Sequence, residues 1–457
     1  MNDAPPVLEE RSLYEVRKKV YPRAVHGWFA AWRWALVWAT QIAFYGGPWL
    51  TWNERQAVLF DIVHRKFYLF GLVFWPQDVI YLTFLLIIAA LSLFLFTAVA
   101  GRLWCGYACP QTVYTEIFLW IERKIEGDRN ARIKLDQSGF SRKRIFLKGA
   151  KHAVWIALAL WTGFTFVGYV TPIRELGPAV LSLSTGPWET FWILFYGFAT
   201  YGNAGWMREQ VCKYMCPYAR FQSAMFDKDT LIITYDQKRG EPRGKAKSAS
   251  PSTPLGDCVD CGICVQACPT GIDIRDGLQY ECIGCAACID GCDQVMDKVG
   301  RPRGLIRYST THAMEGRPTR LARPRVLIYS AILGALMLAV AASLWVRVPL
   351  KVNVIRDRAA IAREVEGGFI ENVYRLQIMN TAEQARSYSV GVSGLPTLEL
   401  SAVSTIEVDA AATRLVPVRV RVSPGAVQPG THPIEFAVSA LGVEGVAVRE
   451  KSVFIVR

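Results

Sequence analysis

The sequence predicts a multi-domain membrane protein: an α-helical transmembrane bundle of five spans, a cysteine-rich insert before the last span, and a C-terminal immunoglobulin-like β-sandwich. Three observations lead to this prediction. Long apolar stretches recur along the chain, all of the cysteines lie between Cys105 and Cys292, and residues 351–457 alternate apolar with polar side chains.

Composition favours a membrane protein. Of the 457 residues, 52% are hydrophobic and 12% are aromatic, which is more apolar than a typical soluble protein. A helix needs roughly 20 apolar residues to cross the hydrocarbon core of a bilayer. The stretches that satisfy this length are 29–50, 79–100, 150–170, 188–206 and 326–346. Arg33 is expected to snorkel from one end of the first span, and no cleaved signal peptide is expected.

Basic residues are unevenly distributed among the connecting segments. They crowd the N-terminal tail and the segments 102–148 and 208–325, whereas the loops after the first and third spans hold few. The positive-inside bias therefore places the N-terminus in the cytoplasm and the residues beyond Arg347 outside. This sorting explains the formal net charge of +13, and since no nucleic-acid motif accompanies it, the lipid bilayer rather than nucleic acid is the expected partner.

Eight cysteines form two runs with the same spacing. The runs are Cys258-x2-Cys261-x2-Cys264-x3-Cys268 and Cys282-x2-Cys285-x2-Cys288-x3-Cys292. This is the bacterial two-cluster ferredoxin spacing, in which three thiolates bind one [4Fe-4S] cluster and the fourth crosses to the other. The expected ligand sets are Cys258, Cys261, Cys264 and Cys292 for one cluster, and Cys282, Cys285, Cys288 and Cys268 for the second.

The region 257–297 thus resembles a ferredoxin domain with two clusters, and single-electron transfer follows from that resemblance. Asp293 stands where the second run would normally have proline, a departure expected to expose or retune the second cluster. Zinc bound by the same thiolates would require paired C-x-x-C knuckles separated by a longer loop. Structural disulfides are disfavoured because the predicted compartment is reducing.

The other four cysteines form a repeated motif, Cys-x-Tyr-x-Cys-Pro, directly after the second and fourth spans. The motifs contain Cys105 with Cys109, and Cys212 with Cys216. Residues four apart share one face of a helix, so each pair is expected to present two thiols in one direction. If the helix ends pack together, the four thiols suit Cu(I), Zn²⁺ or another iron–sulfur cluster. Two buried, inert pairs remain the alternative.

Neighbouring residues add few further candidates. Met207, Met215 and Met225 are possible thioether ligands, although packing is the more ordinary role of methionine. The five histidines form no facing pair within the spans, so bound b-type heme is not expected. Nucleotide and flavin fingerprints are absent from the sequence.

The C-terminal region shows short runs of period-two alternation separated by turn residues. The apolar members of these runs are Tyr374, Leu376, Ile378, Val416, Val418, Val420, Val422, Ile434, Phe436, Val438, Val453 and Ile455. Such runs predict an antiparallel β-sandwich of immunoglobulin-like size. With no catalytic constellation in it, a docking role is expected.

The order of these parts resembles the cytochrome c oxidase accessory protein family CcoG, also called FixG or RdxA, over essentially the whole chain. The resemblance implies an inner-membrane, multi-pass protein with cytoplasmic clusters and a periplasmic sandwich, acting in maturation of the cbb3-type oxidase. On that reading, Cys105, Cys109, Cys212 and Cys216 bind a transient copper ion and reduce Cu(II) to Cu(I). The implied partners are the oxidase or its copper assembly factors and an unidentified electron donor.

Two other functions remain open. The first is a quinol dehydrogenase subunit that passes electrons across the membrane to a periplasmic reductase, and the second is a non-redox assembly scaffold. The predicted organisation is a cytoplasmic tail (1–28), four spans with both Cys-x3-Cys-Pro motifs (29–237), a flexible linker (238–256), the ferredoxin-like domain (257–325), the fifth span (326–346) and the sandwich (347–457).

Overall fold

The computed structural model describes residues 19–244, 255–357, 362–401 and 405–456. The predicted tail before residue 19 and most of the predicted linker, residues 245–254, lie outside these ranges. The chain divides into two compact units. Unit 1 comprises Met1–Ala43, Ser92–Phe164 and Phe191–Ser330, and unit 2 comprises Phe44–Leu91, Thr165–Thr190 and Ala331–Arg457.

The α-helices of the described chain are numbered in order. They are α1 (Trp28–Gly46), α2 (Val79–Ala100), α3 (Leu103–Tyr107), α4 (Pro110–Glu126), α5 (Arg129–Gln137), α6 (Arg142–Val167), α7 (Ile173–Leu181), α8 (Pro187–Thr200), α9 (Pro217–Met225), α10 (Gln237–Gly240), α11 (Ile263–Ala267), α12 (Ala287–Val299), α13 (Thr311–Met314) and α14 (Pro324–Trp345). Two π-helical segments, Tyr201–Met207 and Val211–Met215, follow α8.

The strands are numbered in the same way. They are β1 (Thr51–Trp52), β2 (Arg55–Gln56), β3 (Val58–Asp61), β4 (Lys66–Leu69), β5 (Leu72–Phe74), β6 (Ile232–Tyr235), β7 (Ile306–Ser309), β8 (Leu350–Arg356), β9 (Arg363–Val365), β10 (Phe369–Asn380), β11 (Arg386–Ser393), β12 (Glu399–Ser401), β13 (Ile406–Val408), β14 (Thr413–Val422), β15 (Gly430–Ala440) and β16 (Ala447–Val456).

Among the described residues, three helices are long and apolar enough to cross a membrane: Pro76–Ala100, Arg142–Val167 and Pro324–Trp345. They coincide with the second, third and fifth predicted spans and identify a membrane-associated protein. The other two predicted spans are helical but fall outside this group. Helix α1 carries Arg33 near its start, and α8 has 14 residues, about 21 Å of helix before the π-helical segment. Five spans therefore stay a prediction.

Unit 1 contains the cysteine-rich module. Strand β6 precedes the predicted linker, yet it pairs antiparallel with β7, which follows the cysteine octet, in the register Ile232↔Ser309. Helix α10 also lies inside the predicted linker, and Arg239 at its end bonds Asp257 Oδ2 at 2.5 Å. The module therefore begins before the predicted boundary at residue 257, because its closing strand pair draws on sequence from both sides.

Hydrogen bonds join helix α12 of this module to the start of α1. Asp290 on α12 accepts hydrogen bonds from the backbone N–H groups of Phe29 at 3.2 Å and Ala30 at 2.7 Å. These are first-turn donors that have no partner within their own helix, and a carboxylate is favoured there by the helix dipole. Arg33 is buried and donates to the carbonyl oxygen of Cys285. The prediction that Arg33 snorkels is therefore wrong, because the protein itself supplies its acceptor.

Unit 2 contains the predicted sandwich. One sheet has the order β12-β14-β10-β8 with β9 also pairing to β10, and the second has the order β13-β11-β15-β16. The pairs are antiparallel, and a continuous apolar core lies between the sheets. Tyr374 and Phe436 meet within it with ring centroids 5.0 Å apart. The alternating runs in β10, β14 and β15 are confirmed as core-facing strands.

Strand β16 differs from the prediction in its register. Phe454 and Val456 face the core with 0% and 5% of their surface exposed, whereas Val453 and Ile455 are only partly buried. All four side chains are apolar, so hydrophobic alternation does not decide which pair points inward. The pairing of Phe454 opposite His432 fixes the register of the strand.

The loop predicted between the first and second spans contains a small β-sheet. Strands β3, β4 and β5 make a three-stranded antiparallel sheet in unit 2. Its last strand leads to Asp78, which pairs with Arg347 at 3.0 Å and also with Lys351. The buried Val73, Trp75 and Met379 pack together beside it. The sandwich is thus held against this small sheet within unit 2.

Substitution in β16 tests the register. Phe454→Ala removes a fully buried ring and is expected to cost about 3–5 kcal/mol of local stability, whereas Ile455→Ala, the matched control on the opposite face, is expected to cost much less. Hydrogen exchange of the β15 and β16 amides in the full chain measures both. Equal loss of protection in the two variants would contradict the observed register.

Candidate functional site

The eight ferredoxin-like cysteines line two neighbouring cavities in unit 1. The first cavity is lined by Cys258, Cys261, Cys264 and Cys292, and the second by Cys268, Cys282, Cys285 and Cys288. Cys264 borders both. The structure therefore groups these residues into the two sets that the ferredoxin spacing predicts, with the fourth cysteine of each run crossing over.

The cavities fit the group that the spacing implies. Each offers four thiols, the donor set of a [4Fe-4S] cluster, in a mostly apolar lining. The space between the lining residues, including the part open to solvent, is about 340 Å³ in the first cavity and about 320 Å³ in the second. The similar sizes suit two groups of the same kind. All twelve cysteines are free thiols. Among the described residues, no three His, Cys, Asp or Glu side chains already stand in metal-ligand geometry, so the thiols line the space rather than converge on a point.

Burial favours the protonated form of several of these thiols when no cation is bound. Desolvation raises the pKa of Cys264 and Cys285 to about 11 and that of Cys282 and Cys292 to about 12. A bound metal centre reverses this preference, because thiolates are the ligands and metal binding releases their protons.

The two Cys-x3-Cys-Pro motifs end in the same way, and neither is the predicted single helix. Cys109 and Cys216 are the N-cap residues of α4 and α9, and Pro110 and Pro217 begin those helices. The backbone of each N-cap cysteine is extended, with φ −61° and ψ 128° at Cys109. A residue before proline avoids the helical region, and proline suits the first position of a helix. The prediction that each pair shares one helical face is therefore wrong.

The two motifs are nevertheless brought together by cross-links between their helices. Gln111 on α4 donates to the carbonyl oxygens of Asn203 at 3.0 Å and Arg208 at 3.1 Å, just before the second motif. Gln222 on α9, after the second motif, accepts from the Cys105 thiol at 3.3 Å. Gln222 is fully buried and also donates to Thr97 on α2 at 3.4 Å.

A buried ion network supports the same arrangement. Glu122 on α4 pairs with Arg208 at 2.9 Å and with Arg132 at 3.2 Å. Burial favours the neutral carboxyl, but the surrounding cations outweigh it and hold the pKa of Glu122 below its usual range. The network fixes α4, which starts at Cys109, to the segment that leads into Cys212.

The four thiols of these motifs form one electrostatic group. Desolvation raises the pKa of Cys105 and of Cys212 to about 12, and the neighbouring thiols raise it further. Cys109 is also raised by burial, against hydrogen bonds from the backbone of Gln111 and Thr112. Cys105, Cys109 and Cys212 each interact with a thiol of the other motif, and Cys105 and Cys212 pack against the same buried cluster. The structure therefore places all four thiols within one site, called the four-cysteine site below.

The four-cysteine site lies directly against the second cavity. A Cβ atom on Gly106 would stand 2.7 Å from Cys285 Cα and 2.8 Å from Gly284 C, so backbone meets backbone here. Gly284 has φ +68°, which glycine adopts without strain. Its own Cβ position would lie 3.0 Å from the Arg102 carbonyl oxygen. Only glycines at both positions allow the two loops to approach this closely.

Several functional contacts carry little sequence signal. Arg102 and Arg33 donate to carbonyl oxygens of the Tyr280–Cys285 loop, and Asp290 caps α1. A charged residue within an apolar stretch of sequence is the signal that could have marked these positions, although it does not identify their partners. Of the three candidate methionines, Met207, Met215 and Met225, Met215 is largely exposed, and the backbone carbonyl oxygen of Met225 accepts a hydrogen bond from Arg325 at 2.8 Å.

Asp293 has a structural role that its position did not reveal. Its Oδ1 accepts a hydrogen bond from the Gly304 N–H at 3.0 Å, which ties α12 to the segment before β7. The adjacent Cys292 remains buried. The departure from proline therefore does not expose that ligand.

Family models match three parts of the chain. A model described as "4Fe-4S dicluster domain" matches residues 207–311, one described as "4Fe-4S binding domain" matches residues 82–127, and one described as "IG-like fold at C-terminal of FixG" matches residues 340–457. The matches cover both cysteine motifs, both cavities and the sandwich. With the apolar helices, they define the class: a membrane-associated iron–sulfur protein of the electron-transfer type.

Whole-chain relatives are more specific. Protein RdxB of Cereibacter sphaeroides is 41% identical over 87% of this chain and 86% of its own length. Nitrogen fixation protein FixG of Rhizobium meliloti is 38% identical over 84% of this chain and 81% of its own. A solved FixG-related protein from Vibrio parahaemolyticus is 25% identical over 24% of this chain and 97% of that one, with a TM-score of 0.22. The chain belongs to the FixG/RdxA family.

Gly106→Ala tests the contact between the two loops. The added methyl group meets backbone atoms, so we expect a destabilisation of about 1–3 kcal/mol and faster hydrogen exchange in the Gly284–Cys285 loop. Gly149→Ala is the control, because a Cβ there has nothing within 4 Å. Unchanged exchange in Gly106→Ala would show that the loops do not touch.

Proposed function

We propose that this protein binds two [4Fe-4S] clusters and uses their electrons to reduce Cu(II) to Cu(I) at the four-cysteine site, for delivery to the copper site of a cbb3-type oxidase. The observation that carries the proposal is the backbone contact of Gly106 with Gly284 and Cys285. It sets the four-cysteine site beside the second cavity. An electron on a centre in that cavity therefore has a short path to a metal ion held by the four thiols.

The chain's own residues have separate roles in this scheme. Cys258, Cys261, Cys264 and Cys292 would hold one cluster, and Cys268, Cys282, Cys285 and Cys288 the other. When bound, such clusters accept and donate one electron at a time. The mostly apolar linings limit the access of water to both centres, and the Cys264 side chain borders both. Cys261 is the exposed ligand, so an electron donor reaches the protein most directly there.

The four-cysteine site suits copper as a substrate. Thiolates are soft ligands that favour Cu(I) over Cu(II), so binding to them makes reduction of copper easier. One electron converts each Cu(II) ion to Cu(I), and the thiols that become ligands release their protons. Gln222 orients the Cys105 thiol through their hydrogen bond. At the start of α4, the backbone N–H groups of Gln111 and Thr112 donate to Cys109 and favour its thiolate form.

The membrane arrangement belongs to the same proposal. We infer five spans in the bacterial inner membrane, with the N-terminus and both cavities on the cytoplasmic side and the sandwich in the periplasm. The distribution of basic residues supports this orientation. The sandwich then serves as a docking module for the oxidase or its copper assembly factors.

A second candidate is that the four-cysteine site holds a further iron–sulfur cluster. The match of the "4Fe-4S binding domain" model to residues 82–127, which include Cys105 and Cys109, favours it. In that case, the site would extend the electron path rather than bind substrate. Iron and sulfide counts of about twelve each per chain would support this candidate over the eight expected for two clusters.

A copper-reduction assay tests the proposal. The protein is purified anaerobically with iron, sulfide and copper counted, and Cu(II) reduction is followed with a Cu(I) chelator after reduction of the clusters. Cys105→Ser and Cys216→Ser are expected to lower the rate at least tenfold while iron and sulfide stay unchanged, because only the acceptor site loses a soft ligand.

Met215→Leu is the matched control for that assay. Met215 lies within the second motif but is largely exposed, so its replacement is expected to leave the rate unchanged. Wild-type rates in both cysteine variants with both clusters intact would eliminate the four-cysteine site as the place of copper reduction.

Copper binding at this site is expected to depend on pH. Because the pKa of Cys105 and Cys212 is raised to about 12 by burial, the empty site is protonated at neutral pH and binding of Cu(I) releases protons. The apparent affinity for Cu(I) should therefore rise with pH between 6 and 8. Competition with a chelator of known affinity measures it, and a flat profile would contradict thiol ligation.

A further inference from the structure

The two cavities differ in the charges that surround them. The second cavity lies beside Arg102, whose guanidinium donates to the carbonyl oxygens of Tyr280, of Cys282 at 3.2 Å and of Ala219. Arg102 is buried, and these acceptors are neutral. Within the described part of the chain, no carboxylate forms an ion pair with it. A guanidinium stays charged at all relevant pH values, so a full positive charge is fixed here.

Arg102 also faces the four-cysteine site. It lies close enough to Cys105, Cys212, Cys216 and Cys282 for an electrostatic interaction with each. Its single charge therefore stands between the second cavity and the proposed copper site.

Arg33 adds a second buried guanidinium on the same side. It is 7% exposed and donates to the carbonyl oxygen of Cys285. Glu116 and Asp290 lie near enough to offset part of its charge, but Glu116 also pairs with Arg123 at 3.4 Å. Three guanidinium groups therefore stand against two carboxylates on this side. The protein charge next to the second cavity thus remains positive.

At the first cavity, by contrast, the neighbouring cations are paired with carboxylates. Arg275, which lines the cavity, pairs with Asp273 at 2.6 Å and with Asp260 at 2.6 Å. Arg239 and Arg301 both pair with Asp257, at 2.5 Å and 3.4 Å. Asp293 follows Cys292 and adds a further negative charge. Three carboxylates pair with these three guanidinium groups, and a fourth lies beside a predicted ligand.

A hydrogen bond strengthens the contrast. The buried Thr270 hydroxyl lies 3.2 Å from Cys268 Sγ, a predicted ligand of the second cluster. Donation of this hydroxyl to a thiolate withdraws electron density from the sulfur. Hydrogen bonds to ligand sulfurs and nearby net charge are two of the means by which proteins set iron–sulfur reduction potentials.

We propose that Arg102, Arg33 and Thr270 are positioning residues that hold the reduction potential of the second cluster above that of the first. Electrons that arrive near the exposed Cys261 then move energetically downhill toward the four-cysteine site. One electron leaves the first cluster and one arrives on the second, with no proton required. The potential difference stands on the charges alone, and only the onward step to copper depends on the proposed function.

A redox titration of the full-length, copper-free protein in detergent, followed by the EPR signals of the reduced clusters, tests this. We expect two separate one-electron steps in the wild type. Arg102→Gln should shift only the upper step, to lower potential, while Arg102→Lys keeps the charge and most of the effect. A tenfold change in the equilibrium between the clusters corresponds to about 59 mV for a one-electron couple.

Further variants assign the steps to the two cavities. Thr270→Val should lower the upper step and Thr270→Ser should restore it, whereas Asp260→Asn should raise only the lower step. Arg303→Gln is the control, because this arginine is exposed and pairs with Asp297 at 2.7 Å. If Arg102→Gln fails to assemble clusters, the Thr270 pair and Asp260→Asn decide the question.

Two results would overturn the proposal. The first is a single potential shared by both clusters, and the second is a shift of the lower step by Thr270→Val or Arg102→Gln. Because copper is absent from the titration, its outcome is independent of the copper-reduction assay. Separate steps in a protein that reduces no copper would leave the inference standing and remove the proposed function.

Discussion

The contact between Gly106 and the Gly284–Cys285 loop is the constraint on which the rest of unit 1 depends. Backbone atoms can approach this closely only because Gly106 and Gly284 carry no side chain. The contact is kept in place by buried polar groups on both sides: Arg102 bonds the Tyr280–Cys282 loop and α9, and Asp290 fastens α12 to α1. Losing any of these bonds leaves a buried charge or donor unsatisfied, which costs more than the bond itself contributes.

The same contact connects local chemistry to the proposed function. The ferredoxin-like module, taken alone, carries electrons but has no acceptor site for them. Its closing strand pair, β6 with β7, and its contacts with α1 and α3 present the second cavity to the four-cysteine site. The first cavity, with the exposed Cys261, lies at the other end of this path. Gln111, Glu122 and Gln222 then hold the two cysteine motifs together as one site.

The sequence predicted the parts for which spacing or periodicity carries information. The cysteine spacing predicted which cysteines group around each of the two cavities, and period-two alternation predicted β10, β14 and β15. It could not decide the register of β16, since Val453 to Val456 are all apolar. Pro110 indicates the helix break at Cys109, because a residue before proline avoids the helical region, whereas the four-residue spacing of the cysteines favours a continuous helix. Arg33, Arg102, Asp290 and Gln222 could not be predicted, because their roles arise from contacts between residues far apart in the chain.

A single-turnover experiment tests whether electrons pass from the ferredoxin-like module to copper at the four-cysteine site. Anaerobic protein with both clusters reduced is mixed with one equivalent of Cu(II) and frozen at intervals for EPR. We expect the Cu(II) signal to disappear as one cluster is oxidised. The electron that remains at the end of the turnover should rest on the second cluster. Persistence of the Cu(II) signal beside fully reduced clusters would contradict this expectation, because the loop contact would then provide no path from the ferredoxin-like module to the four-cysteine site.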